Sequence, residues 1–366
     1  MTRELRIVPA DGDVLSALRD ALGGGPALFV ADPARPQPHG LPAQVERRIA
    51  LVVETSGSTG RPKRVALGAD AVLASAAASE SALGGPGQWV LALPTHYIAG
   101  LNVLARAISS GFDLVAVEGE HFTPAAFVAA TARVTEPERF VSLVPAQVAA
   151  LLDDPDATQA LRSYTRVLVG GQAMPATLRS RAEAAGIRIT RTYGSSETCG
   201  GCVYDGHPIG QTVVRVDDGE VWLGGPTLAE GYLGDPQLTA ERFVVADGLH
   251  WFRTADAGTW DGERLTVTGR RDDVIVSGGV KVALGEIERR AREVYADAVA
   301  VATAHERWGQ AAVIVTADPQ DRAVDLSELG PAARQTRVLH VESIPMLPSG
   351  KPDRVALAAL VAGAAP

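Results

Sequence analysis

From Ile49 onward, short apolar runs alternate with alanine-rich stretches, and this rhythm narrows the fold more than any other feature of the chain. The runs are "IALVV", "QWVLALP", "FDLVAV", "RFVSLVP", "RVLVGG" and "IRITRTYG"; between them lie segments such as "ADAVLASAAASESAL" and "PATLRSRAEAAG". Strands buried on both faces read as continuous apolar runs, so the pattern predicts an α/β fold with largely parallel, buried strands. Thr123-Pro124 and Met174-Pro175 read as helix starts with proline at the first helical position. Glycines and turns become denser between about 205 and 270, where "GEVWLGG" and "RLTVTG" predict antiparallel strands of a small β-rich subdomain. After "GRRDDV" the pattern resets to a helix "ALGEIERRAREVY", strands "AVAVAT" and "AAVIVT", a helical stretch "LSELGPAARQT", a strand "RVLHVES" and a last helix "DRVALAALVAG". The expected division is therefore 1–270 for a large N-terminal domain and 271–366 for a small α+β C-terminal domain.

A chain of 366 residues can bury a sizeable core, and 46% hydrophobic with 21% charged residues is ordinary globular composition. The first residues lack a basic segment leading into an apolar one, and no apolar run approaches the roughly 18 residues of a membrane span. A cytoplasmic protein without stable membrane insertion is expected. A net charge of −9 argues against a nucleic-acid partner, so an anionic ligand must meet local positive charge. Of the 34 basic residues only Lys63, Lys281 and Lys351 are lysines, each in a glycine-containing segment, which hints that a compact ammonium is needed there. The two cysteines, Cys199 and Cys202, have only His207 nearby and read better as small buried residues than as a metal or redox pair.

Five segments carry candidate chemistry. "ETSGSTGRPK" (54–63) combines glycines, hydroxyls and Lys63, a donor set suited to phosphate, although Arg61 and Pro62 break the Walker spacing and a solvated turn is the plainer alternative. "LPTHYIAGLNVL" sets His96 ahead of a helix, where a cap or packed ring competes with a functional role. "RTYGSSETCGG" offers the Tyr193 ring for stacking, hydroxyls at Ser195, Ser196 and Thr198, and the Glu197 carboxylate for Mg²⁺. Asp256 of "TAD" and Arg270 of "GRRDD" suit ribose hydroxyls, or equally a structural ion pair. Lys351 stands in "PSGKP", a turn stiffened by prolines.

Taken in this order, "TSGSTGRPK", "YGSSET", "TAD", "GRRDD" with "SGG", and "PSGK" resemble the adenylate-forming superfamily of acyl-CoA ligases, luciferases and peptide-synthetase adenylation domains, from about Ile49 to the last helix. Within it, "LPTHYIAGL" and "RTYGSSETCGGCVYDGHPIG" on so short a chain look like the short actinobacterial o-succinylbenzoate–CoA ligases of menaquinone biosynthesis, the MenE family. The resemblance implies ATP-dependent ligation in two steps, an acyl adenylate and then a CoA thioester, with Mg²⁺ as cofactor and ATP, CoA and o-succinylbenzoate as substrates. It further implies that Thr55, Ser56, Gly57, Ser58, Thr59, Gly60 and Lys63 hold the β- and γ-phosphates and that Glu197 holds Mg²⁺. Gly170, Gly171, Gln172, Tyr193 and Gly194 would shape the adenine slot, Thr198 would touch the α-phosphate, and Asp256 with Arg270 would bind ribose. Lys351 is the implied catalytic lysine. His96 lies by similarity at the acid pocket, for which Asn102, Ser195 and Arg106 are further candidates. The small domain would swing about Asp272, bringing Gly278 and Gly279 to the CoA channel; Lys281 takes no assigned role.

The phosphate loop begins near residue 55, far earlier than in full-length relatives, so the usual N-terminal subdomain is expected to be missing or rebuilt from few residues; a homo-oligomer could cover the exposed face. The alternative reading keeps the chemistry but takes another aryl or fatty acid, or loads a carrier protein.

Overall fold

The structure is a computed structural model that describes residues 1–34, 38–55, 63–119, 121–271, 273–277, 279–330, 333–347 and 351–364, with backbone alone at Lys281 and Arg334. Two large sheets organise the first two thirds. In one, seven strands run in the order His207–Pro208, Gly200–Tyr204, Ile189–Ser195, Arg166–Val169, Arg139–Leu143, Gln88–Leu91, Val115–Ala116, and the last five of these are mutually parallel. Their central residues, among them Val90, Val141 and Val167, are buried, which is why they read as unbroken apolar runs.

The chain before residue 49 is not missing but rebuilt. Thr2–Pro9, Ala27–Ala31 and Gln44–Glu46 join Ile49–Thr55, Lys63–Gly68 and Gly231–Tyr232 in a six-stranded mixed sheet. Helices Val14–Leu22, Ala69–Leu83 and Ile98–Ser110 fill the space between the two sheets, where Leu18, Val72, Leu101 and Leu104 meet Leu28, Leu51 and Leu67. Each fully buried leucine of that layer contributes on the order of 2 kcal/mol. Gly100 is dictated by contact: a Cβ there would come within 2.2 Å of the Pro94 carbonyl oxygen. Helices Pro124–Ala132, Pro145–Leu152, Pro155–Arg162 and Ala176–Ala184 cover the opposite face of the parallel sheet through Phe127, Leu151, Leu161 and Ala182. Thr123 caps the first of these by accepting from Ala126 N, as expected, whereas Pro175 occupies the cap position of the last rather than its first turn.

A third sheet joins Val213–Asp217, Glu220–Gly224, Leu249–Trp260, Phe243–Ala246 and Leu265–Arg270, all antiparallel. A fourth, from Val274 onward, joins Val280–Ala283, Val274–Ser277, Gly309–Thr316, Val299–His305 and Arg337–His340, with helices Leu284–Ala291 and Arg354–Gly363 packed on it through Ile287, Ala291, Leu357 and Val361. Two expected helices are shorter here. The stretch from Leu284 stops at Ala291 because Tyr295 turns inward, fully buried, and its hydroxyl donates to the Arg322 carbonyl. "LSELGPAARQT" forms only the 3-10 turns Ser327–Leu329 and Ala333–Gln335, its Gly-Pro pair interrupting any longer helix. Among the described residues no helix is long and apolar enough to cross a membrane.

Candidate active site

The carboxyl ends of the parallel strands are where open α/β sheets leave a crevice, and most of the expected residues stand there. Gly170, Gly171 and Gln172 follow Arg166–Val169, and a Cβ on Gly170 would lie 2.3 Å from Thr192 Oγ1, so this bend can pass the neighbouring strand only as glycine. Strand Ile189–Ser195 carries Tyr193 and Gly194, then breaks into the 3-10 turn Ser196–Thr198 that presents Glu197. Cys199 ends the turn at φ 52, a left-handed conformation that needs outside support. The Asn102 side-chain amide donates to the Cys199 carbonyl at 2.8 Å and Ser75 Oγ donates to the same oxygen at 2.9 Å.

Asn102 is therefore not an open wall of an acid pocket. It is buried, and its amide holds the turn that carries Glu197. Thr198 departs from expectation in the same way: fully buried, its hydroxyl accepts from Ser195 N (2.9 Å) and donates to the Gly200 carbonyl (2.8 Å), which engages it within the turn. Ser195 Oγ is enclosed with no hydrogen-bond partner among the described residues. Both cysteines lie inside, and burial pushes each thiol up to about 12.

Five residue pairs link the groups expected on the nucleotide side. Tyr193 donates its hydroxyl to Asp256 Oδ2 at 2.7 Å, and Arg270 reaches Asp256 Oδ1 at 3.5 Å across the register that pairs the two residues. The ring expected to stack on a base is thus tied through its hydroxyl to the carboxylate expected at the ribose; burial and then the Asp256 charge raise the Tyr193 pKa well above 10. Thr55 and Lys63 form the last pair before the 56–62 connection, while Ser56, Gly57, Ser58, Thr59 and Gly60 lie outside the described residues. Lys63 Nζ stands 6.0 Å from the Tyr232 ring centroid, and the Tyr232 hydroxyl donates to Glu197 Oε1 at 2.8 Å. Desolvation and the Glu197 charge raise the Tyr232 pKa, so this donor stays protonated.

Lys351 arrives from the far end of the sequence. Leu347 N donates to the Lys351 carbonyl at 2.7 Å, and Asp353 caps the following helix through Val355 N and Ala356 N. The residue keeps accessible surface, yet protein packed around its ammonium lowers its pKa; Glu197 and Asp256 pull the value up and Arg270 pulls it down. The lysine thus shares one electrostatic neighbourhood with the carboxylate of the turn and with the Asp256–Arg270 pair. Asp272 and Gly278 lie outside the described residues, and Gly279 stands at φ 82 in the turn before Val280.

Glu197, whose Oε1 accepts from Tyr232 while its Oε2 accepts no hydrogen bond among the described residues, suits Mg²⁺, which binds through one or two carboxylates together with substrate phosphates and water. No cluster of three or more acidic, histidine or cysteine ligands occurs among the described residues.

On the acid side, His96 Nε2 lies 3.7 Å from Asp32 Oδ2, with both side chains largely enclosed, and its ring packs on Tyr97. From Ile98 to Ile108 the only polar side chains of helix Ile98–Ser110 are Asn102 and, one turn on, Arg106, and both are buried. Arg106 is only 6% exposed, lies 4.8 Å from the Trp89 ring centroid, and reaches Tyr204 Oη (3.3 Å) and Ser142 Oγ (3.4 Å). Its Nε is unbonded, and it has no carboxylate partner within ion-pair distance among the described residues.

Four contributors escaped the sequence reading: Asp32 beside His96, Tyr232 on Glu197, Ser75 on the Cys199 turn, and Glu220. The Glu220 carboxylate is 5% exposed and accepts from Arg253 Nη2 (2.8 Å), Trp222 Nε1 (3.2 Å) and Ala255 N (3.3 Å). Burial alone would raise its pKa, but the Arg253 and Trp222 hydrogen bonds outweigh burial and hold it below the usual value. Ala255 sits at φ 62, directly before Asp256. Alanine rarely adopts that conformation, so Glu220 clamps a strained residue directly before the Asp256 carboxylate.

The family described as "AMP-binding enzyme" matches residues 13–233. A Mycobacterium tuberculosis protein named "Probable 2-succinylbenzoate--CoA ligase" is 38% identical over 96% of both chains. The Escherichia coli K12 "2-succinylbenzoate--CoA ligase" is 30% identical over 77% of this chain and 61% of its own. A solved structure of an E. coli MenE variant with bound OSB-AMS superposes with a TM-score of 0.77 at 26% identity, covering 99% of this chain and 88% of that one. Amide bond synthetase McbA from Marinactinospora thermotolerans gives 0.73 at 26% identity, with 98% and 80% covered. With the family match spanning well over half the sequence and a relative aligned almost end to end, the chain belongs to the AMP-binding enzyme family of adenylate-forming ligases.

Proposed function

We propose that this chain is an o-succinylbenzoate–CoA ligase acting in menaquinone formation. The acid carboxylate attacks the α-phosphorus of ATP, a P–O bond forms and pyrophosphate leaves; the CoA thiol, losing its proton, then attacks the acyl carbonyl and AMP leaves. In the first step two anions must meet, so the chain has to neutralise and align charge. The observation that carries the reading is the Lys351 ammonium lying within the electrostatic reach of Glu197, Asp256 and Arg270, although 81 residues or more separate it from each.

In this reading residues 55–60 and Lys63 hold the β- and γ-phosphates, Glu197, oriented by Tyr232, holds Mg²⁺, and Asp256 with Arg270 holds ribose below the Gly170–Gln172 bend. Bound Mg²⁺ would supply charge neutralisation at the phosphate oxygens. Ser196, whose hydroxyl is not tied up as that of Thr198 is, takes the α-phosphate position. Lys351 neutralises the carboxylate and the bridging oxygen. Residues 271–366 then turn about Asp272 to exchange the lysine for Gly278 and Gly279 at the pantetheine arm.

Acid choice rests on Arg106. A buried guanidinium without a carboxylate partner is costly unless a ligand supplies one, and a substrate with a second carboxylate does so, as the names of the similar ligases imply. Mass-spectrometric detection of the CoA thioester from o-succinylbenzoate, ATP, Mg²⁺ and CoA tests the reading. Thioester from benzoate or fatty acids but not from o-succinylbenzoate would overturn the acid assignment, and no pyrophosphate release with any acid would overturn the chemistry.

A further inference from the structure

Away from the crevice, a depression of about 380 Å³ opens between helix Ala176–Ala184, the amino-terminal ends of strands Arg166–Val169 and Ile189–Ser195, and the hairpin that carries Arg264. Five arginines line it: Arg166, Arg179, Arg188, Arg191 and Arg264. Two are neutralised within the chain, Arg179 by Glu183 (2.7 Å) and Arg191 by Asp205 (3.0 Å). Among the described residues Arg188 donates only to the Tyr164 carbonyl. Arg166 and Arg264 form no ion pair among the described residues, Asp261 acting on Arg264 only at a distance. In a chain of net charge −9, one concavity therefore holds an excess of three positive charges, with His207 on its rim.

Like charges gathered in one hollow oppose folding, and a guanidinium fork matches phosphate oxygens two at a time. The volume falls within the range of small-ligand pockets, while the overall negative charge disfavours a long polyanion. A lone phosphate monoester carries about −1.5 to −2 near neutral pH and would leave positive charge unmatched; two joined phosphates match it better. We infer that this depression is a second anion site, separate from the catalytic crevice, that binds a small molecule bearing a diphosphate group. Alternation along strand Ile189–Ser195 sets Arg191 on the same side as Tyr193, two residues or about 7 Å along the strand. The site therefore backs onto the nucleotide slot.

The test is isothermal titration calorimetry of the full chain at about 0.15 M salt, where loose surface attraction is screened, with pyrophosphate and ADP as separate titrants. Wild type should bind one more equivalent of pyrophosphate than Arg166→Ala/Arg264→Ala, or bind at that second site at least about tenfold more tightly, the size of one charged hydrogen bond. Both arginines are exposed and outside the catalytic machinery, so the variant should keep the wild-type melting temperature and rate of pyrophosphate release at saturating ATP. Tighter binding of ADP than of pyrophosphate at this site would identify a nucleotide as the occupant, and the reverse order the free diphosphate. Equal stoichiometry and affinity in wild type and variant, with either titrant, would overturn the inference while leaving the ligase reading untouched.

Discussion

Replacing Glu220 by alanine should weaken ATP use although Glu220 contributes no atom to the crevice. The change removes the acceptor of Arg253, Trp222 and Ala255 N. Arg253 is 42% exposed along its side chain and regains water, whereas Ala255 is 6% exposed and its N–H is left without an acceptor. That loss costs about 1–3 kcal/mol. The left-handed conformation of Ala255 stores about 1–2 kcal/mol more, and with the clamp gone the backbone relaxes and carries Asp256 away from Tyr193 and Arg270. The expected result is a stability loss of about 2 kcal/mol by denaturant unfolding and an ATP KM raised about tenfold in a pyrophosphate-release assay, equivalent to one contact of about 1.4 kcal/mol. A double-mutant cycle isolates the cause. Glycine accepts positive φ without penalty, so in an Ala255→Gly background Glu220→Ala should raise KM far less, giving a coupling of at least about 1 kcal/mol. Effects that add within about 0.5 kcal/mol, the behaviour of independent sites, would refute the clamp.

Arg106→Ala should abolish activity toward o-succinylbenzoate, at least a hundredfold in kcat/KM by the loss of a buried charge pair of about 3 kcal/mol, while benzoate-type acids lose less; equal losses would remove Arg106 from acid recognition. Tyr232→Phe frees Glu197 Oε1, so the Mg²⁺ concentration giving half-maximal pyrophosphate release should shift severalfold with little change in melting temperature, and an unchanged metal dependence would count against it. Desolvation lowers the Lys351 pKa below 10.5, and protonated lysine is the working form, so pyrophosphate release should fall on the alkaline side before pH 10.5. Thioester formation from supplied acyl adenylate should lack that limb. In stability the sign is opposite: the charged form is disfavoured by folding, so Lys351 is destabilising below its folded pKa and the penalty fades as pH rises from that value to 10.5, which a melting series with Lys351→Met as reference would detect.

The parallel sheet was legible because strands buried on both faces leave unbroken apolar runs, as in "RFVSLVP" and "RVLVGG". The N-terminal strands were not, because Thr2–Pro9 mixes exposed and half-buried positions and shows no such run. Helix lengths failed where a tertiary contact decided them, as at Tyr295. Around the crevice, the loops that bear hydroxyls and charges could be read from their residue types, but not which hydroxyl faces inward: Thr198 and Ser196 are chemically alike in sequence, and only the 3-10 turn separates a cap from a free donor. Tyr232 and Glu220 act on Glu197 and Asp256 across 35 and 36 residues, a pairing that strand register creates and local pattern does not contain.

In the proposed mechanism adenylation depends on one cation from the C-terminal turn working at a crevice built by the N-terminal sheets. The direct measurement is the two half-reactions of Lys351→Ala, followed separately: pyrophosphate release from ATP and o-succinylbenzoate, and CoA-thioester formation from supplied acyl adenylate. Loss of the first by three orders of magnitude or more (about 4 kcal/mol) with the second within a few-fold of wild type is the predicted outcome; an adenylation rate close to wild type, or equal loss in both steps, would contradict it.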